Sequence, residues 1–150
     1  MIRHVWTVLC SQSITNAETH NVTLIEILEQ LTISGSPPSE EEGGLVAGSF
    51  EIITLWARAQ DDQPSRGRAR ILMRLPSGSE TQGLEYEVDV VSHQRARVKS
   101  IIPGLPLRES GAYQFHVQLW DNEQAEWADV ANIPLQIVFT SLDSNDSNSG

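Results

Sequence analysis

Apolar and polar side chains alternate one for one from Gly111 to Asp121, where Tyr113, Phe115, Val117 and Leu119 interleave with Gln114, His116 and Gln118. Successive side chains leave opposite faces of an extended chain, so this spacing predicts a half-buried β-strand. The same period recurs where Ala69, Ile71, Met73 and Leu75 alternate with Arg68, Arg70 and Arg74. It returns where Leu84, Tyr86, Val88 and Val90 alternate with Glu85, Glu87 and Asp89. Pro76-Ser77-Gly78-Ser79 between these two runs predicts a turn, so both apolar rows face one core. A third run, Arg95, Arg97 and Lys99 alternating with Ala96 and Val98, is expected to pair back after a short turn at Ser92-His93-Gln94. The resulting meander reads basic, acidic, basic. Cross-strand partners are then expected to neutralise most of its charge and leave Arg66 and Arg68 least accounted for.

Four further segments complete the pattern. Ile2 to about Ser13 predicts a first strand, followed by a polar turn at residues 16–21. Val22 to Ile33 carries Leu24, Ile27, Leu28 and Leu31 at a spacing that also suits a helix, but its many β-branched residues decide for a strand. Residues 34–44 combine prolines, glycines and Glu40-Glu41-Glu42 with almost nothing to bury, which predicts a loop. Phe50 to Ala59 reads as a strand buried in part on both faces, because Ile52, Ile53, Leu55 and Trp56 leave little room for a polar side. Asp61 to Ser65 is a turn. Pro103, Gly104 and Pro106 interrupt ladder hydrogen bonding, so residues 101–109 read as a crossover. A turn at Asp121-Asn122-Glu123 precedes a last strand from about Ile133 to Thr140, with Pro134 placing its start near a sheet edge. Seven or eight strands with no helix predict an all-β fold, a two-sheet antiparallel β-sandwich of Greek-key, immunoglobulin-like or C2-like type. Residues 1–140 are expected to form one domain and residues 141–150 a disordered polar tail.

Composition narrows the setting. A chain of 150 residues is long enough to bury a substantial core without staples. Cys10 is the single cysteine, so no intramolecular disulfide can form, and a buried strand cysteine in the cytoplasm is the expectation. The apolar run from Val5 to Cys10 is too short for a signal-peptide core, and no segment approaches the ~20 apolar residues that span a bilayer. A net charge of −10 repels phosphate backbones and anionic lipid, which argues against nucleic acid and membrane as partners.

Two local likenesses add to this reading. Leu107 to Tyr113 resembles the tyrosine-corner stretch of Greek-key and immunoglobulin-like sandwiches, in which a tyrosine hydroxyl bonds nearby backbone. Phe115 stands where antibody-type domains carry a cysteine. V-L-C-S at residues 8–11, N-V-T-L-I-E-I-L at residues 21–28 and S-G-A-Y-Q-F-H-V at residues 110–117 resemble a family of small uncharacterised bacterial β-sandwich proteins, a domain of unknown function. Members of that family usually place a glycine in the turn before the second strand, where this chain has Thr19-His20-Asn21. The resemblance implies a sandwich and a bacterial or phage source, and it transfers no catalytic residue.

Candidate chemistry is sparse. His4, His20, His93 and His116 lack the spacing of zinc sites. Asp61-Asp62 and Asp121-Asn122-Glu123 with Glu126 and Asp129 could supply oxygen ligands to calcium, but no ligand loop of known spacing occurs and turn roles are favoured. No serine lies in G-x-S-x-G or S-x-x-K, and no phosphate loop is present. No cofactor and no catalytic residue are therefore expected. Trp120 falls on the polar side of its strand with His116 and Gln118, which marks it as an anchor for a partner unless neighbouring chain covers it. Trp6, Trp56 and Trp127 read as core or core-edge. The expectation is a noncatalytic protein-interaction or assembly module, with homodimerisation through free sheet edges as one form. The alternative is a small-ligand or carbohydrate-binding sandwich, possibly calcium-assisted. Trp120, His116, Gln118, Arg66 and Arg68 are the candidate binding residues.

Overall fold

In the computed structural model, residues 1–35, 45–81, 83–106 and 109–140 are described, with backbone alone for residues 45–48, 105 and 106. Of the loop expected at residues 34–44, Ser34 instead ends a strand and residues 36–44 lie outside the described residues, as does the tail at 141–150. The described residues form nine strands: β1 (Ile2–Thr15), β2 (Val22–Ile27), β3 (Gln30–Ser34), β4 (Leu45–Arg58), β5 (Arg66–Arg74), β6 (Leu84–Asp89), β7 (Arg95–Pro106), β8 (Gly111–Asp121) and β9 (Glu126–Thr140). They make a four-stranded sheet in the order β2-β1-β4-β7 and a five-stranded sheet in the order β3-β9-β8-β5-β6. All pairings are antiparallel except β3 with β9. This is a two-sheet β-sandwich.

The core lies where the alternating rows meet. Phe50 and Ile52 of β4 point inward with Leu9 of β1, and Ala69, Ile71, Met73, Tyr113, Phe115, Val117, Leu135 and Ile137 meet them from the other sheet. Phe50 and Phe115 meet edge to face across the layers, with ring centroids 5.8 Å apart. Thr54 and Tyr86 join the sheets by a hydroxyl–hydroxyl contact of 3.1 Å, and Trp56 donates its indole N–H to the same Thr54 oxygen at 2.9 Å. The tyrosine corner is formed as the sequence suggests. The buried Tyr113 hydroxyl donates to the Glu109 carbonyl at 2.7 Å and accepts from the Glu109 amide at 3.2 Å. Ile53 and Ala57 are buried on the other face of β4, in keeping with a strand covered on both sides.

The structure corrects the sequence reading at several elements. The run from Val22 to Ile33 is two strands, because the chain leaves β1 at Leu28 and Glu29 and crosses to pair with β9. Leu84 is 46% exposed rather than part of the core row. Residues 101–106 continue β7 through both prolines. β7 is an edge strand, so a proline, which has no N–H to donate, is tolerated where its nitrogen faces away from β4. The last strand begins at Glu126 and pairs along its length with β8, while the parallel ladder with β3 starts only at Gln136, past Pro134.

The most consequential correction concerns β7. It pairs with β4 in the first sheet and not with β6 in the second. The basic, acidic, basic meander therefore does not form. Arg58, at the end of β4, ties down the chain that leaves β6: its Nε donates to the Val90 carbonyl at 2.8 Å and one amine to the Val91 carbonyl at 2.7 Å. The Arg58 amide also donates to the Gln94 carbonyl at 3.0 Å. The chain leaving β6 is thus held against β4 before β7 begins.

Candidate functional sites on the two outer faces

Each sheet has one face in the core and one outside it, and the chemistry of this chain is gathered on the two outer faces. On the five-stranded sheet, the even-numbered residues of β8 point outward, and the register sets Gln118 opposite Asp129 and Trp120 opposite Trp127. β9 carries one extra residue between the partners of Val117 and Gln118, so its side-chain parity changes there. Trp127 is consequently an outer-face residue, not core. Trp120 and Trp127 meet edge to face at 5.3 Å. The Arg68 guanidinium lies 5.0 Å from the Trp120 ring and 5.7 Å from Trp127, and Arg70 lies 4.4 Å from Trp127. Arg70 also donates to Gln118 at 2.7 Å, and Gln118 donates to Asp129 at 2.6 Å.

All five residues singled out from the sequence are therefore on one face. Trp120 and Arg68 are in direct contact, Gln118 joins them through Arg70, and Arg66 borders the same hollow of ≈ 190 Å³ beside Trp120. Arg66, expected with Arg68 to be the least accounted for, lies 3.5 Å from Asp89, its cross-strand partner. His116 is buried under the face, between Leu72 and Asn132 in register, with Nδ1 3.5 Å from Asp129 Oδ2 and neither ring nitrogen in hydrogen-bonding geometry. It supports the face from below and is not itself presented. Trp127 reads as core from the sequence because the bulge that turns it outward leaves no trace there, and Arg70 reads only as a member of the basic row.

The outer face of the four-stranded sheet is set by cross-strand rows. Trp6, Leu55 and Arg97 form one, Val8, Ile53 and Lys99 the next, and Cys10, Glu51 and Ile101 the third. A bulge between His4 and Trp6 inserts one residue into β1. His4 thus faces inward beside Trp56, with ring centroids at 5.3 Å, while Trp6 turns outward to Leu55. Trp6 is not a core residue, since the bulge reverses its parity. Lys99 is paired with Glu51 at 3.0 Å. Burial pushes the Glu51 carboxyl upward, but Ser13 and Lys99 outweigh it and hold the group below its ordinary range. Ser13 favours the ionised form, while Oε2 has no donor in hydrogen-bonding geometry. Beside this carboxylate, the buried Cys10 thiol is pushed up, first by burial and then by Glu51.

At the end of this face, the turn after β1 is tied by Asn16, whose side-chain oxygen accepts the amides of Glu18 and Thr19, both at 2.9 Å. His20 follows in the left-handed region at φ 62, a conformation that favours glycine. Its carbonyl accepts from Arg97 at 2.7 Å. The turn, Trp6, the Ile53–Leu55 floor and the basic residues of β7 enclose a groove of ≈ 770 Å³.

No group of three or more potential metal ligands occurs among the described residues. The Asp121 carboxylate, one of the calcium candidates, accepts the amides of Glu123 and Gln124 in its own turn.

No family model matches the chain, and no curated protein matches it. Among solved structures, an immunoglobulin-like protein from Pseudomonas aeruginosa aligns over 91% of this chain and 96% of its own, at 9% identity and a TM-score of 0.42. The N-terminal domain of PorA aligns over 90% of this chain and 98% of its own, at 10% identity and a TM-score of 0.28. These are likenesses of fold alone.

Proposed function

We propose that this chain is a noncatalytic interaction module that docks a protein partner through the outer face of its five-stranded sheet. The observation that supports it is the Arg68–Trp120–Trp127 cluster. Two half-buried tryptophans and an arginine stacked over both lie outside the core, on a face that no third layer covers among the described residues. Tryptophan and arginine are the residue types that carry most binding energy when an interface buries them. The neighbouring charges are mixed in sign, with Glu85 and Glu87 across from Arg70 and Arg68, so apolar burial rather than steering governs the contact. The carbohydrate reading has less support, because Arg68 lies over the Trp120 ring that a sugar would stack on and the adjoining hollow is only ≈ 190 Å³.

A noncatalytic role is favoured by where the polar groups go. The His4 ring nitrogen is 2.6 Å from the Thr7 hydroxyl, but the ring packs against Trp56 and no third group completes a catalytic set with this pair among the described residues. A bacterial cytoplasmic address agrees with the lone, buried Cys10, and no described helix is long and apolar enough to cross a membrane.

Affinity capture from the native host, run in parallel with Trp120→Ala, Arg68→Ala and Arg95→Gln baits, tests the reading. One protein recovered by wild type and Arg95→Gln but lost from the first two variants is expected. Light scattering identifies the case in which that protein is a second copy. Equal recovery on all baits, or a strict monomer that recovers nothing, removes it.

A further inference from the structure

The groove on the opposite sheet points to a second, independent site. Ten basic residues serve this chain against twenty acidic ones, yet three of the ten follow one another at alternate positions on a single outer face. Lys99 is committed to Glu51. Arg97 gives one donor to the His20 carbonyl, which fixes its guanidinium at the turn and leaves its other N–H groups unengaged among the described residues. Arg95 makes no side-chain hydrogen bond or ion pair among them, and the acidic strand β6 that would have neutralised both arginines belongs to the other sheet. Alternate residues on a strand are roughly 7 Å apart at their bases, a distance two arginine side chains close readily around one anionic group.

The rest of the groove is of another character. Leu55 lies between Trp6 and Arg97 in register, and Ile53 is 1% exposed beneath the groove although it faces outward. Apolar surface and an indole ring therefore adjoin the two cations. A volume of ≈ 770 Å³ falls within the ~300–1,000 Å³ of small-molecule sites, and the β1–β2 turn closes one end. A second hollow of ≈ 460 Å³ shares His20 and Arg95 with it, so the cationic end is open on two sides.

We propose that this groove binds a small organic anion, its carboxylate or phosphoryl head held by Arg95 and Arg97 and its apolar body resting on Trp6, Ile53 and Leu55. Planar guanidinium forks suit either head group.

Titration of the isotope-labelled full chain, followed by NMR at the Trp6 indole N–H and the Arg97 Nε–H, tests it. The probes are 4-phenylbutyrate, 3-phenylpropyl phosphate, uncharged 4-phenylbutyramide and inorganic phosphate. One or both of the first two probes move these resonances saturably, and which of them does so identifies the head group. The amide and inorganic phosphate each engage half of the site and bind at least about tenfold more weakly. Arg95→Gln, which breaks no described contact, loses about tenfold in affinity, and Trp120→Ala loses none. Absence of any shift, equal binding of the amide, or unchanged affinity in Arg95→Gln overturns the proposal.

Discussion

Arg97 donates to the carbonyl oxygen of His20 at 2.7 Å, joining β7 to a turn that precedes it by 77 residues. The contact uses backbone of His20, yet it depends on the left-handed conformation at φ 62 that aims the carbonyl. Most side chains disfavour that conformation by roughly 1–2 kcal/mol, and glycine does not. His20→Gly is therefore expected to leave stability unchanged or raise it by up to about 1 kcal/mol, whereas His20→Val lowers it by about 1–3 kcal/mol. Urea denaturation of the two variants checks the ordering.

The tyrosine corner gives a sharper test of packing. In Tyr113→Phe the Glu109 carbonyl and amide each lose the partner they have in the buried phenol. Losing two hydrogen bonds to this part-buried backbone costs about 1–3 kcal/mol in all. The urea midpoint should fall accordingly with no change in slope, because the core outline is preserved.

Glu51 and Lys99 couple stability to pH. The folded-state pKa of Glu51 is depressed, so its contribution is present above the unfolded value and is lost as pH falls through the folded one. Lys99→Met removes one of the causes of that depression and leaves a covered carboxylate without its cation. The variant should be less stable than wild type at neutral pH and begin to unfold at higher pH on acidification. The gap should narrow at low pH, where Glu51 is protonated in both. A gap of constant size in denaturation curves from pH 7 to pH 3 would contradict this.

Much of the sandwich is legible in the alternation itself. Tyr113, Phe115 and Val117 are buried as their spacing requires, and Arg66, Arg68 and Arg70 lie across from Asp89, Glu87 and Glu85. What period two cannot convey is parity after a bulge or the sheet a strand joins. The extra residues beside Trp6 and in β9 turn two tryptophans outward, although neither is out of place in a core by residue type. The pairing of β7 with β4 is accompanied by Arg58 holding the carbonyls of Val90 and Val91, 32 and 33 residues distant in sequence. A short turn and a matching charge row favour the wrong hairpin locally. The groove follows from that tertiary choice, which leaves Arg95 and Arg97 without the acidic strand, while the tryptophan cluster follows from the bulge in β9.

Backbone NOEs of β7 test that choice most directly. Pairing with β4 predicts cross-strand contacts of Val98 with Thr54 and of Ala96 with Trp56. Contacts from Arg95, Arg97 or Lys99 to Glu85, Glu87 or Asp89 in their place would put the basic row beside the acidic one and dissolve the cationic groove.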